Sequence, residues 1–148
     1  MPTTSTLHPS THLSSESERH LIVSVHATLR AVFVILPVVA GVDKFFNFLV
    51  RWEVYLNPAV LRIIPTTDFG FMKLAGIIEI IAGLVVWAKP RAGGYLVMMW
   101  LIAIALQLLA MGRYFDIAIR DLVMAITGAL TLARLTTVVG ENTPATQL

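Results

Sequence analysis

Leu74-Ala75-Gly76-Ile77-Ile78-Glu79-Ile80-Ile81-Ala82-Gly83-Leu84-Val85-Val86-Trp87 decides the fold. The run is apolar on every helical face, and Glu79 is its only ionisable side chain. A helix apolar all round is a membrane span or the core of a large protein. A charge at bilayer depth costs about 2.5–3.5 kcal/mol on insertion scales. Glu79 therefore needs a charged partner, a proton or a water-filled cavity.

The rest of the chain sets this run in a membrane. Of its 148 residues 57% are hydrophobic and 14% charged, where soluble domains carry about 25% charged residues. Mean hydropathy is +0.79. Four apolar blocks approach the roughly 20 residues that cross a bilayer. They lie near 21–42, 70–88, 93–111 and 115–135, within a domain at 19–139. The expected architecture is all-α: a four-helix transmembrane bundle. The net charge of +2 does not imply nucleic acid, because the basic residues sit at helix ends and in short loops, as membrane proteins place them. They divide between the two sides as Arg19, Lys89, Arg91 and Arg134 against Lys44, Arg51, Arg62, Lys73, Arg113 and Arg120. That balance leaves the orientation open, while an even number of spans puts both termini on one side.

The N-terminal MPTTSTLHPSTHLSSESER lacks the basic start and cleavage site of a signal peptide. We read residues 1–18 as a disordered tail, 140–148 as a flexible one, and the first helix as an uncleaved anchor. Pro37 lies inside that helix and is expected to kink it. Lys89-Pro90-Arg91-Ala92-Gly93-Gly94 makes a tight turn joining the second and third spans as an antiparallel hairpin. Between the first and second spans, Phe45, Phe48, Leu49, Trp52 and Leu56 recur at helical spacing, with Asn47 and Arg51 opposite. The segment 44–64 is thus expected as an interfacial amphipathic helix, with Phe45, Phe48, Trp52 and Tyr55 at headgroup depth. Gly76 and Gly83 share one face of the second span, and Ala125, Ala129 and Ala133 one face of the fourth. Such small-residue faces let helices approach closely in lipid.

Two groups of polar residues stand out. Counting from the ends of their apolar blocks, Arg30 and Glu79 each lie about 14 Å from the same side, so they are expected to form one buried polar site. On the opposite side, Asp43, Lys44, Lys73, Gln107, Arg113, Asp116, Arg120 and Asp121 gather at helix ends. Asp116 and Arg120, spaced i, i+4, suit a salt bridge. This cluster reads either as a structural clasp or as a polar vestibule for a quinone head group or a partner subunit. Gln107 lies one turn below it, placed to bond across helices.

Other chemistries find little support. Without cysteine the chain does no thiol chemistry and holds no iron–sulfur cluster. His8 and His12 are in the tail, His20 is at the membrane edge, and only His26 is inside. A spanning haem takes two buried histidines, so His26 reads as a helix-packing residue. His8, His12 and Glu16 have helical spacing for zinc, but in a segment that looks unstructured. No metal site and no catalytic residue is assigned, and no cofactor is expected on this chain alone.

Three segments carry a resemblance. LRAVFVILPVVAGVDKFF (29–46), AGIIEIIAGLVV (75–86) and YFDIAIRDLVMAITGALTLARL (114–135) resemble, in this order, helices of the DoxX-like family of small bacterial membrane proteins. The resemblance covers about residues 28–135. It implies a four-helix bundle in the bacterial cytoplasmic membrane, with Arg30, Gly41, Lys44, Glu79, Arg120 and Asp121 at the matching positions. Some relatives are subunits of thiosulfate:quinone oxidoreductase, and others work beside soluble redox enzymes. The long aromatic connection departs from the family pattern. The resemblance thus implies a subunit of a quinone-linked redox or respiratory assembly, with protein partners and quinone as its cofactor. The competing readings are a non-catalytic accessory subunit and a small proton-linked carrier using Glu79.

Overall fold

A computed structural model describes residues 9–64 and 66–141. The described residues are helical and contain no strand. The elements are α1 (Pro9–Phe46), a 3-10 turn (Trp52–Tyr55), α2 (Pro58–Ile63), α3 (Asp68–Ala88), α4 (Pro90–Met111), α5 (Phe115–Val123), a π turn (Met124–Ala129) and α6 (Leu130–Glu141). Through the π turn, α5 and α6 run on as one rod. Four helical stretches are long and apolar enough to cross a bilayer: Ser15–Phe46, Asp68–Ala88, Pro90–Met111 and Phe115–Gly140. The protein is a multi-pass four-helix membrane bundle. Its outer face is a belt of exposed Leu, Ile, Val and Phe, including Ile35, Leu36, Ile81, Leu84, Met99, Leu106 and Ile126, the surface a lipid solvent requires.

The rods form a ring. α1 runs along α3, α3 neighbours α4, α4 packs on α5 and α6, and α6 returns to α1. The α1–α3 seam is set by two glycines. A Cβ on Gly41 would lie 2.6 Å from the Gly76 carbonyl oxygen, and one on Gly76 would lie 2.6 Å from that of Gly41. Only glycine lets the two backbones come this close. Gly83 likewise meets Val34 and Val38, so the Gly76/Gly83 face is the face turned to α1. The Ala125/Ala129/Ala133 stripe is fully buried, and Gly94 of α4 abuts Ala129 and Ala133.

Several local features differ from expectation. α1 begins at Pro9, within the segment expected as tail; residues 1–8 and 142–148 lie outside the described residues. Pro37 stays inside α1 without ending it. The α3–α4 turn is a single residue, Lys89, because Pro90 at the first helical position has no N–H to satisfy. Gly93 and Gly94, expected in the turn, are buried helical residues instead.

The connection after α1 is helical, but in two short pieces. Asp43 accepts from the backbone N–H groups of Phe48 (3.0 Å) and Leu49 (2.9 Å). Asn47 takes a left-handed conformation, φ 51°, one that asparagine tolerates better than most residues. α1 therefore stops at Phe46. The aromatics then divide: Phe46, Phe48 and Leu49 point outward, whereas Trp52, Tyr55 and Leu56 turn in and line the bundle interior.

Candidate functional site

A cavity of about 680 Å³ occupies the bundle beneath this connection. It runs from Phe33, Ala82 and Val97, halfway down the helices, to a roof made by Val50, Trp52, Tyr55 and Leu56. A packed apolar cluster of Phe33, Ala82, Val86, Val97, Ala129 and Leu132 closes its lower end. Ala105, Leu108 and Ala118, with Tyr55 and Tyr114 against them, bound it above. The walls are overwhelmingly apolar, and the polar side chains that reach them are Lys44, Glu79, Trp100, Gln107, Arg120 and Asp121, with Trp52 and Tyr55 of the roof. A mostly apolar pocket of roughly 300–1,000 Å³ with a few convergent polar groups is the usual form of a small-molecule site.

Glu79 meets Lys44 here. Lys44 Nζ donates to Glu79 Oε2 at 2.6 Å, and the two side chains are 6% and 9% exposed. Trp100 Nε1 donates to the other carboxylate oxygen at 3.2 Å, so each oxygen has a partner. The Lys44 ammonium also lies 3.5 Å from the centre of the Trp52 ring, an attractive cation–π contact. Lys44 follows Gly41 by three residues, and Glu79 follows Gly76 by three. In antiparallel helices this offsets the two Cα atoms by about 9 Å along the axis. Helical side chains lean towards their own N-termini, so Lys44 leans down and Glu79 leans up. They meet at one level.

Arg30 is not the partner. Its guanidinium donates to the backbone carbonyl of Trp87, in the last turn of α3. A cation there satisfies an orphan carbonyl and complements the helix dipole. With Gly41 opposite Gly76, Arg30 is level with Trp87, eight residues and about 12 Å past Glu79. The expected Arg30–Glu79 site is thus two separate sites. Depth counting placed the charges wrongly because α1 is far longer than its apolar block.

The expected helix-end cluster also divides. Asp43 acts within the connection: besides its two backbone donors, it accepts from Trp52 Nε1 at 2.7 Å, which fixes the ring over Lys44. Gln107 clasps the roof to α4. Its Oε1 accepts from Asn57 N–H at 3.0 Å, and its Nε2 donates to the Tyr55 carbonyl at 2.8 Å. The expected Asp116–Arg120 bridge is not made. Asp116 is exposed, and Arg120 turns to Asp121, with Nε 3.5 Å from Oδ1. Asp121 is buried while Arg120 is 64% exposed, because consecutive residues of a helix point about 100° apart and α5 turns residue 121 inward. Lys73 lies 4.3 Å from the centre of the Phe69 ring, and Arg113 is exposed; neither lines the cavity. Phe45 packs over Gly76, and Tyr55 meets Tyr114 edge to face at 4.8 Å.

Outside the membrane-spanning stretch, Asn47 Nδ2 donates to Glu53 Oε1 at 2.5 Å. This bond holds the Glu53 carboxyl below the usual glutamate range, with smaller help from its backbone N–H and from Arg51. His26 bonds the Thr136 hydroxyl at 2.9 Å, joining α1 to α6. Among the described residues no group of three His, Asp or Glu side chains is placed to hold a metal; His8 and the side chain of His12 lie outside them.

Trp100 and Asn57 are the site residues that sequence reasoning missed. Trp100 lies on a helix apolar all round, so no periodicity marks which side chain faces in. Asn57, before Pro58, carries a helix-start signal, and its side chain does cap Ala59 N–H. No family model matches the chain, and no curated protein or solved structure is significantly similar to it.

Proposed function

We propose that this protein is the quinone-binding membrane subunit of a redox or respiratory assembly in the bacterial cytoplasmic membrane, a DoxX-like protein in the sense of the three segments quoted above. One observation carries the reading: an apolar cavity inside the spanning helices reaches a buried Lys44–Glu79 pair. An isoprenoid quinone has the complementary form, a flat head with two carbonyl acceptors on an apolar tail. The Lys44 ammonium has three N–H donors, of which Glu79 takes one, so it can also donate to a quinone carbonyl. Trp52 and Trp100 offer ring faces beside that carbonyl, while Phe33, Ala82, Val97 and Leu101 offer the apolar depth for the first part of the tail. The chain carries no thiols, so electrons reach such a quinone from a partner protein that supplies its own redox centre.

The test is a titration of purified full-length protein in detergent with a short-tailed ubiquinone or menaquinone analogue, read by quenching of tryptophan fluorescence. Trp52 and Trp100 lie at the site, so saturable quenching is expected. Lys44→Met should weaken it at least tenfold, whereas Arg30→Met should leave it unchanged. Quenching that is linear in quinone, or equal in all three proteins, refutes the reading.

A further inference from the structure

The three buried carboxylates of this bundle are not equivalent. Asp43 has its oxygens taken up by the backbone of residues 48 and 49 and by Trp52. Glu79 has Lys44 on one oxygen and Trp100 on the other. Asp121 is different. Its side chain is 7% exposed, and among the described residues its one ionic contact is the Arg120 Nε, 3.5 Å from Oδ1. A carboxylate has about four lone-pair sites, so most of its accepting capacity is unused. Yet it lines the cavity together with Lys44, Glu79 and Trp100. The backbone holds it there. The π turn starts at Met124, whose N–H bonds the carbonyls of both Arg120 and Asp121. π turns inside α-helices are frequent at functional sites.

A cavity with a cationic donor on α1 and a spare anionic acceptor on α5 selects for a ligand that both accepts and donates. A quinone only accepts. A hydroquinone or other ring-hydroxyl compound does both. We propose that Asp121 is a ligand-binding residue that receives a hydrogen bond from a ring hydroxyl while Lys44 donates to an oxygen across the ring, so that the site prefers the hydroxylated, reduced form of its ligand. This inference rests on the quinone reading above. It adds which redox state is held more tightly, and by which side chain. Asp121 meets Arg120 on its own helix and shares the cavity lining with Lys44 of α1, Glu79 of α3 and Trp100 of α4. Both Glu79 oxygens are already taken by Lys44 and Trp100, so Asp121, with its single Arg120 contact, supplies the acceptor.

The experiment uses full-length protein in detergent under anaerobic conditions. Three short-tailed probes are compared by tryptophan quenching: a hydroquinone, its dimethyl ether and the parent quinone. The wild-type protein is expected to bind the hydroquinone at least about tenfold more tightly than the ether, the worth of one hydrogen bond to a charged acceptor. In Asp121→Leu, which is close in volume and has no acceptor, the preference should fall to within about twofold while quinone binding persists, which also shows that the variant is folded. Should the leucine variant not fold, Asp121→Ala takes its place. Failure of the quinone itself to bind the wild type would overturn the proposed function, and this inference with it. Quinone binding without preference in the wild type, or a preference that survives at position 121 in a folded variant, overturns the role of Asp121 alone.

Discussion

Replacing Lys44 by methionine tests the centre of this structure. The substitution keeps an unbranched chain of similar length and removes the charge together with its N–H donors. At 2.6 Å and an effective dielectric of about 20, the pair attracts by about 6 kcal/mol before costs are counted. Burying both ions costs several kcal/mol each, so the intact pair adds little net stability over an apolar one. The single variant keeps the cost of Glu79 and loses the attraction. A loss of about 3–5 kcal/mol is expected, typical of stripping one partner from a buried pair. Glu79→Gln should cost less, because glutamine can still accept the Trp100 N–H. The double variant Lys44→Met/Glu79→Gln should recover part of the loss, with a coupling of at least about 2 kcal/mol in a double-mutant cycle.

The assay is unfolding in mixed micelles, followed by circular dichroism or by tryptophan emission. A parallel cycle between Arg30→Met and Glu79→Gln provides the control. Arg30 bonds a carbonyl about 12 Å away along the axis, so its effects should add to those of Glu79 within about 0.5 kcal/mol. Arg30→Met alone should cost about 1–2 kcal/mol. Additivity of Lys44 and Glu79, or coupling of Arg30 to Glu79, would refute the pairing and with it the register of α1 on α3.

Gly76→Ala drives a methyl group to 2.6 Å from the Gly41 carbonyl and should cost about 1–3 kcal/mol, whereas Gly140→Ala, with open space around it, should leave the melting temperature unchanged or raise it. Gln107→Leu orphans the Asn57 N–H and the Tyr55 carbonyl at about 1–3 kcal/mol; faster hydrogen exchange confined to residues 47–57, with the spans still protected, is the readout. Glu53 has a depressed carboxyl pKa caused first by the Asn47 amide. A depressed carboxyl stabilises above its unfolded value and loses that contribution as pH falls through its folded one. Protection of residues 47–57 should therefore hold at neutral pH and fail below the ordinary glutamate range, and Asn47→Ala, which removes the largest cause, should weaken that acid dependence.

The span count was legible because lipid leaves few choices. A chain this apolar must satisfy its backbone internally, and four blocks of sufficient length make four rods. The helix-packing faces were legible for a similar reason: Gly76, Gly83 and the Ala125/Ala129/Ala133 stripe are small residues on one face of each helix, where backbones can approach closely. The connection was harder. Its aromatic spacing is helical, but the spacing is broken by an event no periodicity encodes, the Asp43 carboxylate drawing the Phe48 and Leu49 amides back onto the end of α1. Once the chain turns there, Trp52, Tyr55 and Leu56 of the face that would have lain on the membrane become the lining of a cavity, while Phe48 and Leu49 stay outside.

The partner of Glu79 was within reach of the sequence by a different measure. Depth from the apparent membrane edge is a poor ruler, because α1 runs 38 residues and no feature marks where it enters. Register is a better one. Two glycines that must touch fix two antiparallel helices to within a residue, and any charge one turn past each glycine is then carried to a common level by the lean of its side chain. Gly41-Val42-Asp43-Lys44 and Gly76-Ile77-Ile78-Glu79 satisfy that condition; Arg30 has no glycine one turn before it. The close approach that brings the backbones together thus also decides which of the two cations meets the carboxylate. A change at Gly41 should for that reason disturb the Lys44–Glu79 pair as well as the α1–α3 seam, although Gly41 carries no functional group of its own.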